Sequence, residues 1–128
     1  IVGGYLMYKY FTVDELHCQH CGKDGMNQVF MQRVESLREK VGFPFIVSSA
    51  YRCPDHPIEA RKSSPGAHAS GQALDITCSG TNAYELLKAS LAMDFTGIGV
   101  NQTGTSRFIH LDTLEDAAGR PRPRVWSY

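Results

Sequence analysis

The chain has 128 residues, of which 42% are hydrophobic, and its 13 basic and 13 acidic residues cancel to a formal net charge of zero. A chain of this length and composition can form a hydrophobic core without the help of cross-links. We therefore expect one globular domain over residues 7–128 and exclude a low-complexity protein. The balanced charge excludes a general attraction to nucleic acid, and no apolar run approaches the roughly 18 residues of a membrane span. We therefore expect a protein that binds neither nucleic acid nor a membrane. We also expect a monomer.

The N-terminus lacks the basic start and the apolar segment of a secretion signal. We therefore expect the protein to be made in the cytoplasm without exporting itself by this sequence. Residues 1–6 precede Met7, which we take as the native start, and we leave them out of the fold prediction as an added segment.

The first predicted elements are two helices. Thr12-Val13-Asp14-Glu15 has the pattern of a capping box and predicts a short helix that ends near Cys18. A longer helix begins at Asn27 and ends at Gly42. Its apolar residues recur at helical spacing: Phe30, Val34, Leu37 and Val41.

Strands and one further helix are predicted after Gly42. A strand over residues 45–49 leads into a loop, residues 52–66, with one helical turn near residues 56–61. Residues 72–78 alternate as a half-buried strand, and a third helix opens at Asn82. The chain then forms an antiparallel pair, with strands at 97–100 and 107–113 joined by a turn. These elements predict an α+β domain, a small antiparallel sheet flanked by helices.

Three side chains with metal-binding chemistry fall on or beside these strands. Asp75 leaves the face opposite Leu74 and Ile76, and His110 leaves the face opposite the apolar residues of its own strand. If the two strands are neighbours, Asp75 and His110 converge, and His68 reaches the same surface from its glycine-bracketed loop.

Two imidazoles and one carboxylate are a ligand set for catalytic zinc. Three protein ligands leave one tetrahedral position for a water that zinc activates to attack a carbonyl, so His68, Asp75 and His110 predict metal-assisted hydrolysis. The structural alternative is an arginine partner for Asp75, with Arg52 or Arg107 as candidates.

Three motifs resemble one family, the zinc D-Ala-D-Ala carboxypeptidases and murein endopeptidases, whose fold is shared with the hedgehog domain. The family motif Ser-x-His-x-x-Gly-x-Ala-x-Asp corresponds to residues 66–75, with Gly66 where the serine usually stands. Ser-x-Tyr-Arg occurs at residues 49–52, and His-x-Asp occurs at His110 and Asp112. The resemblance spans roughly residues 10 to 128.

The resemblance implies a zinc-dependent peptidase that hydrolyses a stem-peptide or cross-link bond of peptidoglycan, as a bacteriophage endolysin or in wall remodelling. Arg52 would bind the substrate or stabilise the oxyanion, and a salt bridge to Asp55 is the structural alternative. Gln72 would help line the cleft. The family's Arg-rich, aromatic ending places Trp126 beside the active site. A non-catalytic zinc-containing module that binds cell wall or protein is the competing function.

The general base is the open point of this assignment. Several branches of the family carry Glu or Asp three residues before the last zinc histidine, where this chain has Arg107. Asp112 is the nearest substitute, and it would either accept the proton or orient the ring of His110. Glu115 and Asp116 are reserve candidates.

The four cysteines are Cys18, Cys21, Cys53 and Cys78. Cys18-Gln19-His20-Cys21 looks like half of a zinc knuckle, but no second Cys-x-x-Cys follows. Reduced thiols packed in the N-terminal loop are favoured, with disulfides or a second, structural metal as alternatives. Related chains of the family often have cysteines in this loop and after Tyr-Arg, which implies that Cys18 or Cys21 lies near Cys53.

Overall fold

The computed structural model describes residues 8–64 and 66–128. The expected added segment, residues 1–6, and the expected start at Met7 lie outside the described residues. The elements are α1 Val13–Leu16, α2 Gln28–Val41, β1 Ile46–Ser49, α3 Pro57–Ala60, a 3₁₀ turn Ala67–Ser70, β2 Ala73–Thr77, α4 Gly80–Ala92, β3 Gly97–Asn101, β4 Phe108–Asp112 and β5 Arg124–Ser127.

The helix ends follow local hydrogen bonding. Glu15 of α1 accepts from the backbone N–H of Thr12 at 2.8 Å, and the side chain of Asn27 caps α2. Gly42, with a φ of 80°, ends α2 in the left-handed conformation that glycine adopts without strain. The helix that the sequence predicts to open at Asn82 is α4. It begins two residues earlier, because the carbonyl of Ser79 already accepts from the N–H of Ala83.

Five strands form one sheet in the order β1-β2-β4-β3-β5. The pairs β1–β2, β2–β4 and β4–β3 are antiparallel, which confirms the α+β prediction and the predicted antiparallel pair near the C-terminus. One edge of this mostly antiparallel sheet carries a parallel strand. The basic tail returns as β5, which runs parallel to β3 after the long connection from β4.

The sheet has a core face and an open face. Leu74 and Ile76 of β2, with Ile109 and Leu111 of β4, are buried in one hydrophobic cluster with apolar residues of α2 and α4. Burying each such side chain stabilises the fold by about 1.5 to 3 kcal/mol. Alternation along the strands sends the intervening residues, Asp75 and His110 among them, to the opposite face.

The helices of the described residues are short. The longest of those named above, α2, has 14 residues, and none in that part of the chain combines the length and apolar character that crossing a bilayer requires.

Candidate metal centre

Three side chains from three elements meet on the open face of the sheet. His68 comes from the 3₁₀ turn, and Asp75 and His110 are directly paired across β2 and β4. Oδ1 of Asp75 lies 3.3 Å from Nε2 of His68 and 3.0 Å from Nδ1 of His110. One ligand atom from each residue lies within 4.8 Å of the other two. The strand pairing that the sequence left as a condition is therefore present.

The second nitrogen of each imidazole is held by an oxygen. Nδ1 of His68 lies 2.8 Å from the carbonyl oxygen of Ala50, and Nε2 of His110 lies 2.8 Å from Oδ2 of Asp112. With a metal bound, the nitrogens that face these oxygens would donate to them, and the nitrogens that face Asp75 would offer their lone pairs to the ion.

Asp112 is completely buried and has both carboxylate oxygens occupied. Its Oδ1 accepts from Nε of Arg122 at 2.9 Å and from the backbone N–H of Leu114 at 3.2 Å. Its Oδ2 accepts from Nη2 of Arg122 at 2.8 Å, in addition to the bond from His110. Burial alone would raise the pKa of Asp112, but the bonds from His110 and Arg122 outweigh it and lower the pKa to about 2.

Asp75 is held ionised by the two imidazoles. Burial opposes this, yet the hydrogen bonds from His110 and His68 bring the pKa of Asp75 far below its ordinary value. Burial likewise opposes protonation of His110, but Asp112 and Asp75 together raise its pKa. The arginine partner considered for Asp75 is not found in the described residues. Nε of Arg107 donates to the carbonyl of Gly104, and the Arg52 guanidinium pairs with another acid.

Arg52 lies beside Glu59 rather than Asp55. Its Nε is 3.3 Å from Oε2 of Glu59, as an ion pair without the alignment of a hydrogen bond. Glu59 is only 3% exposed and also accepts from the N–H of Gly66 at 2.7 Å. The salt bridge considered to Asp55 is thus replaced, because α3 turns Glu59 inward. The terminal nitrogens of Arg52 form no hydrogen bond within the described residues.

Trp126 lies over the centre from β5. Its ring centroid is 5.1 Å from that of His110, and the guanidinium of Arg122 lies 5.1 Å from the Trp126 ring. Two glycines of β3 make room for this cover. A Cβ at Gly97 would collide with the carboxylate of Asp112, and one at Gly99 would lie 2.6 Å from Nε1 of Trp126.

Two cavities lie beside the residues that hold the centre. One, of about 550 Å³, is lined by Ala50 and Arg52 and runs to Glu15 of α1. The other, of about 270 Å³, is lined by Ala67 and Arg122. Neither cavity is lined by the triad itself. Both are lined by residues that adjoin the triad in sequence or in space.

The structure gives the remaining predicted site residues contacts outside the triad. Oε1 of Gln72 accepts from the hydroxyl of Thr113 at 3.4 Å, at the base of the turn that carries His68. Asp116 accepts from the backbone N–H of Arg122 at 3.0 Å. Glu115 offers its carbonyl oxygen to Arg120. Neither Arg122 nor Glu59 was predicted from the sequence as a site residue, and only the arginine-rich tail hinted at Arg122.

The residues present fit a zinc ion. The donor set is two imidazoles and one ionised carboxylate, and each is oriented by a hydrogen bond or by strand pairing. A bound cation would replace the hydrogen bonds that Asp75 now accepts from the two imidazoles. An α+β domain with such a three-ligand centre has the architecture of a mononuclear zinc hydrolase.

Comparison with protein families agrees with this class. The family model described as Peptidase M15 matches residues 9–112, so the chain belongs to the M15 peptidase family, whose members are zinc enzymes. This membership supports a metallopeptidase and confirms the resemblance found in the sequence motifs. No curated protein and no solved structure matches the chain.

Proposed function

We propose that the protein is a zinc-dependent peptidase that hydrolyses a peptide bond in the stem peptides or cross-links of peptidoglycan. One observation carries the proposal: His68, Asp75 and His110 present ligand atoms within 4.8 Å of one another in a chain of the M15 family. A zinc ion bound there supplies Lewis acidity, which polarises a carbonyl and makes water a nucleophile near neutral pH.

Asp112 has the role of a positioning residue in this proposal. It is wholly buried, and Arg122, Leu114 and His110 already donate to its two oxygens. A carboxylate in this state orients the His110 ring and increases its basicity, since the proton on Nε2 stays between the two groups. Of the two roles open from the sequence, the contacts favour orientation over proton transfer.

Arg52 is the substrate-binding residue of the proposal. Its Nε edge faces the buried Glu59, while its side chain remains 15% exposed at the wall of the larger cavity. Glu59 therefore holds the guanidinium in one orientation and leaves its terminal nitrogens for a ligand. A planar guanidinium binds a carboxylate through two parallel hydrogen bonds, which suits the free carboxyl of a terminal D-Ala. Gln72 and Trp126 would contact the rest of the peptide.

The experiment is digestion of purified peptidoglycan, with and without a chelator, followed by mass analysis of the fragments. We expect chelator-sensitive release of free amines, restored by added zinc, and loss of that release in His68→Ala. The fragment masses separate carboxypeptidase from endopeptidase action, and walls from candidate hosts test a role as a phage endolysin against wall remodelling. Intact peptidoglycan after incubation with zinc-loaded protein would rule the peptidase out.

A second candidate is a non-catalytic zinc-containing module that binds cell wall or protein. It is favoured by Arg107, which stands where several family branches carry the base, and by the occupied oxygens of Asp112. Sedimentation with peptidoglycan in the same experiment distinguishes the two: stoichiometric wall binding without release of amines supports the module.

A further inference from the structure

A second group of metal-ligating side chains lies among the described residues, away from the triad. The Sγ atoms of Cys18, Cys21 and Cys53 lie within 4.8 Å of one another. Cys18 and Cys53 are buried and Cys21 is exposed. In a tetrahedral zinc site with Zn–S bonds of about 2.3 Å, two sulfurs stand about 3.8 Å apart, so this cluster has the dimensions that a single ion requires.

The backbone around Cys18 forms a tight loop, and a backbone N–H donates to its sulfur. The N–H of Gly22 donates to the carbonyl of Cys18 at 2.8 Å, and Gly22 adopts a φ of 73°, which closes the loop tightly. The N–H of Cys53 donates to Sγ of Cys18 at 3.3 Å. A backbone N–H directed at sulfur stabilises a thiolate, whereas a neutral thiol is a weak acceptor.

A disulfide explains the cluster less well than a metal does. A disulfide would join two of the three sulfurs and leave the third as an unpaired thiol. It would also remove the negative charge to which the N–H of Cys53 points. One divalent cation uses all three sulfurs and keeps them as thiolates, so burial of Cys18 and Cys53 is compensated.

Two imidazoles belong to the same segments as the cysteines. His20 stands between Cys18 and Cys21, and His56 follows Cys53 at the spacing Cys-x-x-His. The centroids of the two rings are 6.0 Å apart. The group of mutually close ligand atoms contains the three sulfurs and neither imidazole, so the three cysteines are the ligands assigned to the ion.

We propose that Cys18, Cys21 and Cys53 bind a structural zinc ion as thiolates. This site does not rest on the proposed peptidase function. Its effect is to join the loop after α1 to the segment after β1, and Cys53 directly follows Arg52. The ion would therefore stabilise the backbone that carries Arg52, in a region whose elements are only short helices and loops.

Metal content and a thiolate signature test the site together. We expect two zinc ions per purified wild-type chain, one in His68→Ala, and one in Cys21→Ser, whose exposed position makes misfolding a small concern. Cys78→Ser is the matched control, because Cys78 lies at the end of β2 and donates to the carbonyl of Ile76. It should keep both ions.

The absorption spectrum after replacement of zinc by cobalt reports sulfur coordination directly. Wild type, His68→Ala and Cys78→Ser should show the intense near-ultraviolet charge-transfer band of cobalt thiolates, and Cys21→Ser should lose most of it. Absence of this band in the wild type, or a disulfide among the three cysteines in intact mass analysis of freshly purified protein, overturns the proposal. Failure of the peptidase function alone would leave the band and the zinc of His68→Ala unchanged.

Discussion

The imidazole of His110 is held between two carboxylates, with Nε2 2.8 Å from Oδ2 of Asp112 and Nδ1 3.0 Å from Oδ1 of Asp75. The two residues on β4 are neighbours on one strand face, so the bond between them orients the ring toward Asp75. Arg122 in turn holds Asp112 from the C-terminal tail. The geometry of the metal centre therefore depends on a chain of contacts that begins outside the ligand set.

Asp112→Asn should weaken zinc binding about 10- to 100-fold, because the amide cannot hold the His110 ring as the carboxylate does. Zinc affinity is measured by competition with a chromophoric chelator, and peptidase activity is measured at saturating zinc. Asp94→Asn, which alters an exposed carboxylate in the turn after α4, is the control. A large loss of turnover at unchanged zinc affinity would instead identify Asp112 as the general base.

Arg122→Ala should destabilise the fold by about 3 to 5 kcal/mol, because it leaves the buried charge of Asp112 without its cation. Arg124→Ala is the matched control: this side chain also stacks on Trp126 but is exposed, so its loss should cost less than about 1 kcal/mol. Urea unfolding of the metal-free proteins gives both values. Equal effects of the two substitutions would contradict the role assigned to Arg122.

Gly97→Ala should cost about 1 to 3 kcal/mol and reduce zinc affinity, because the added methyl group would displace the carboxylate of Asp112. Gly66→Ala serves as a comparison, since its methyl group meets chiefly the flexible end of Lys62. Thermal unfolding with and without zinc measures both. If Gly97→Ala binds zinc as tightly as the wild type, the close packing of β3 against Asp112 does not contribute to zinc binding.

Arg52→Lys should raise the KM for a substrate with a free terminal carboxylate by about tenfold or more, because one ammonium cannot replace a planar pair of charge-assisted bonds. The kcat should change less, since Arg52 acts in binding. Arg61→Lys, on the exposed surface of the same loop, should leave both constants unchanged. Steady-state kinetics on a defined stem peptide decides, and an unaltered KM in Arg52→Lys would remove Arg52 from the binding site.

Acid should destabilise the metal-free protein partly through Asp112. Its pKa is about 2 in the fold against an ordinary value of 3.8, so the ionised group stabilises the fold above about pH 4. That contribution, on the order of 2 kcal/mol, is lost as the pH falls from about 4 to about 2. Chemical unfolding across this range should show a shallower loss in Asp112→Asn. Parallel curves for the two proteins would contradict the pKa of Asp112.

Local patterns in the sequence determined much of this protein. The alternation in β2 sends Leu74 and Ile76 into the core and Asp75 to the open face, and capping residues mark α1 and α2 because helix ends depend on their own neighbours. The motifs that contain His68, Asp75 and His110 identified the family. Their spacing is set by the turn that carries His68, by the strand that carries Asp75 and by the pairing of that strand with the strand of His110.

The tertiary structure decided which distant groups surround those residues. The parallel pairing of β5 brings Arg122 to Asp112, and the inward turn of α3 brings Glu59 to Arg52. None of these contacts follows from periodicity, because each joins segments that only the folded sheet and its loops bring together. The partners that orient the predicted ligands are therefore a property of the fold rather than of any single motif.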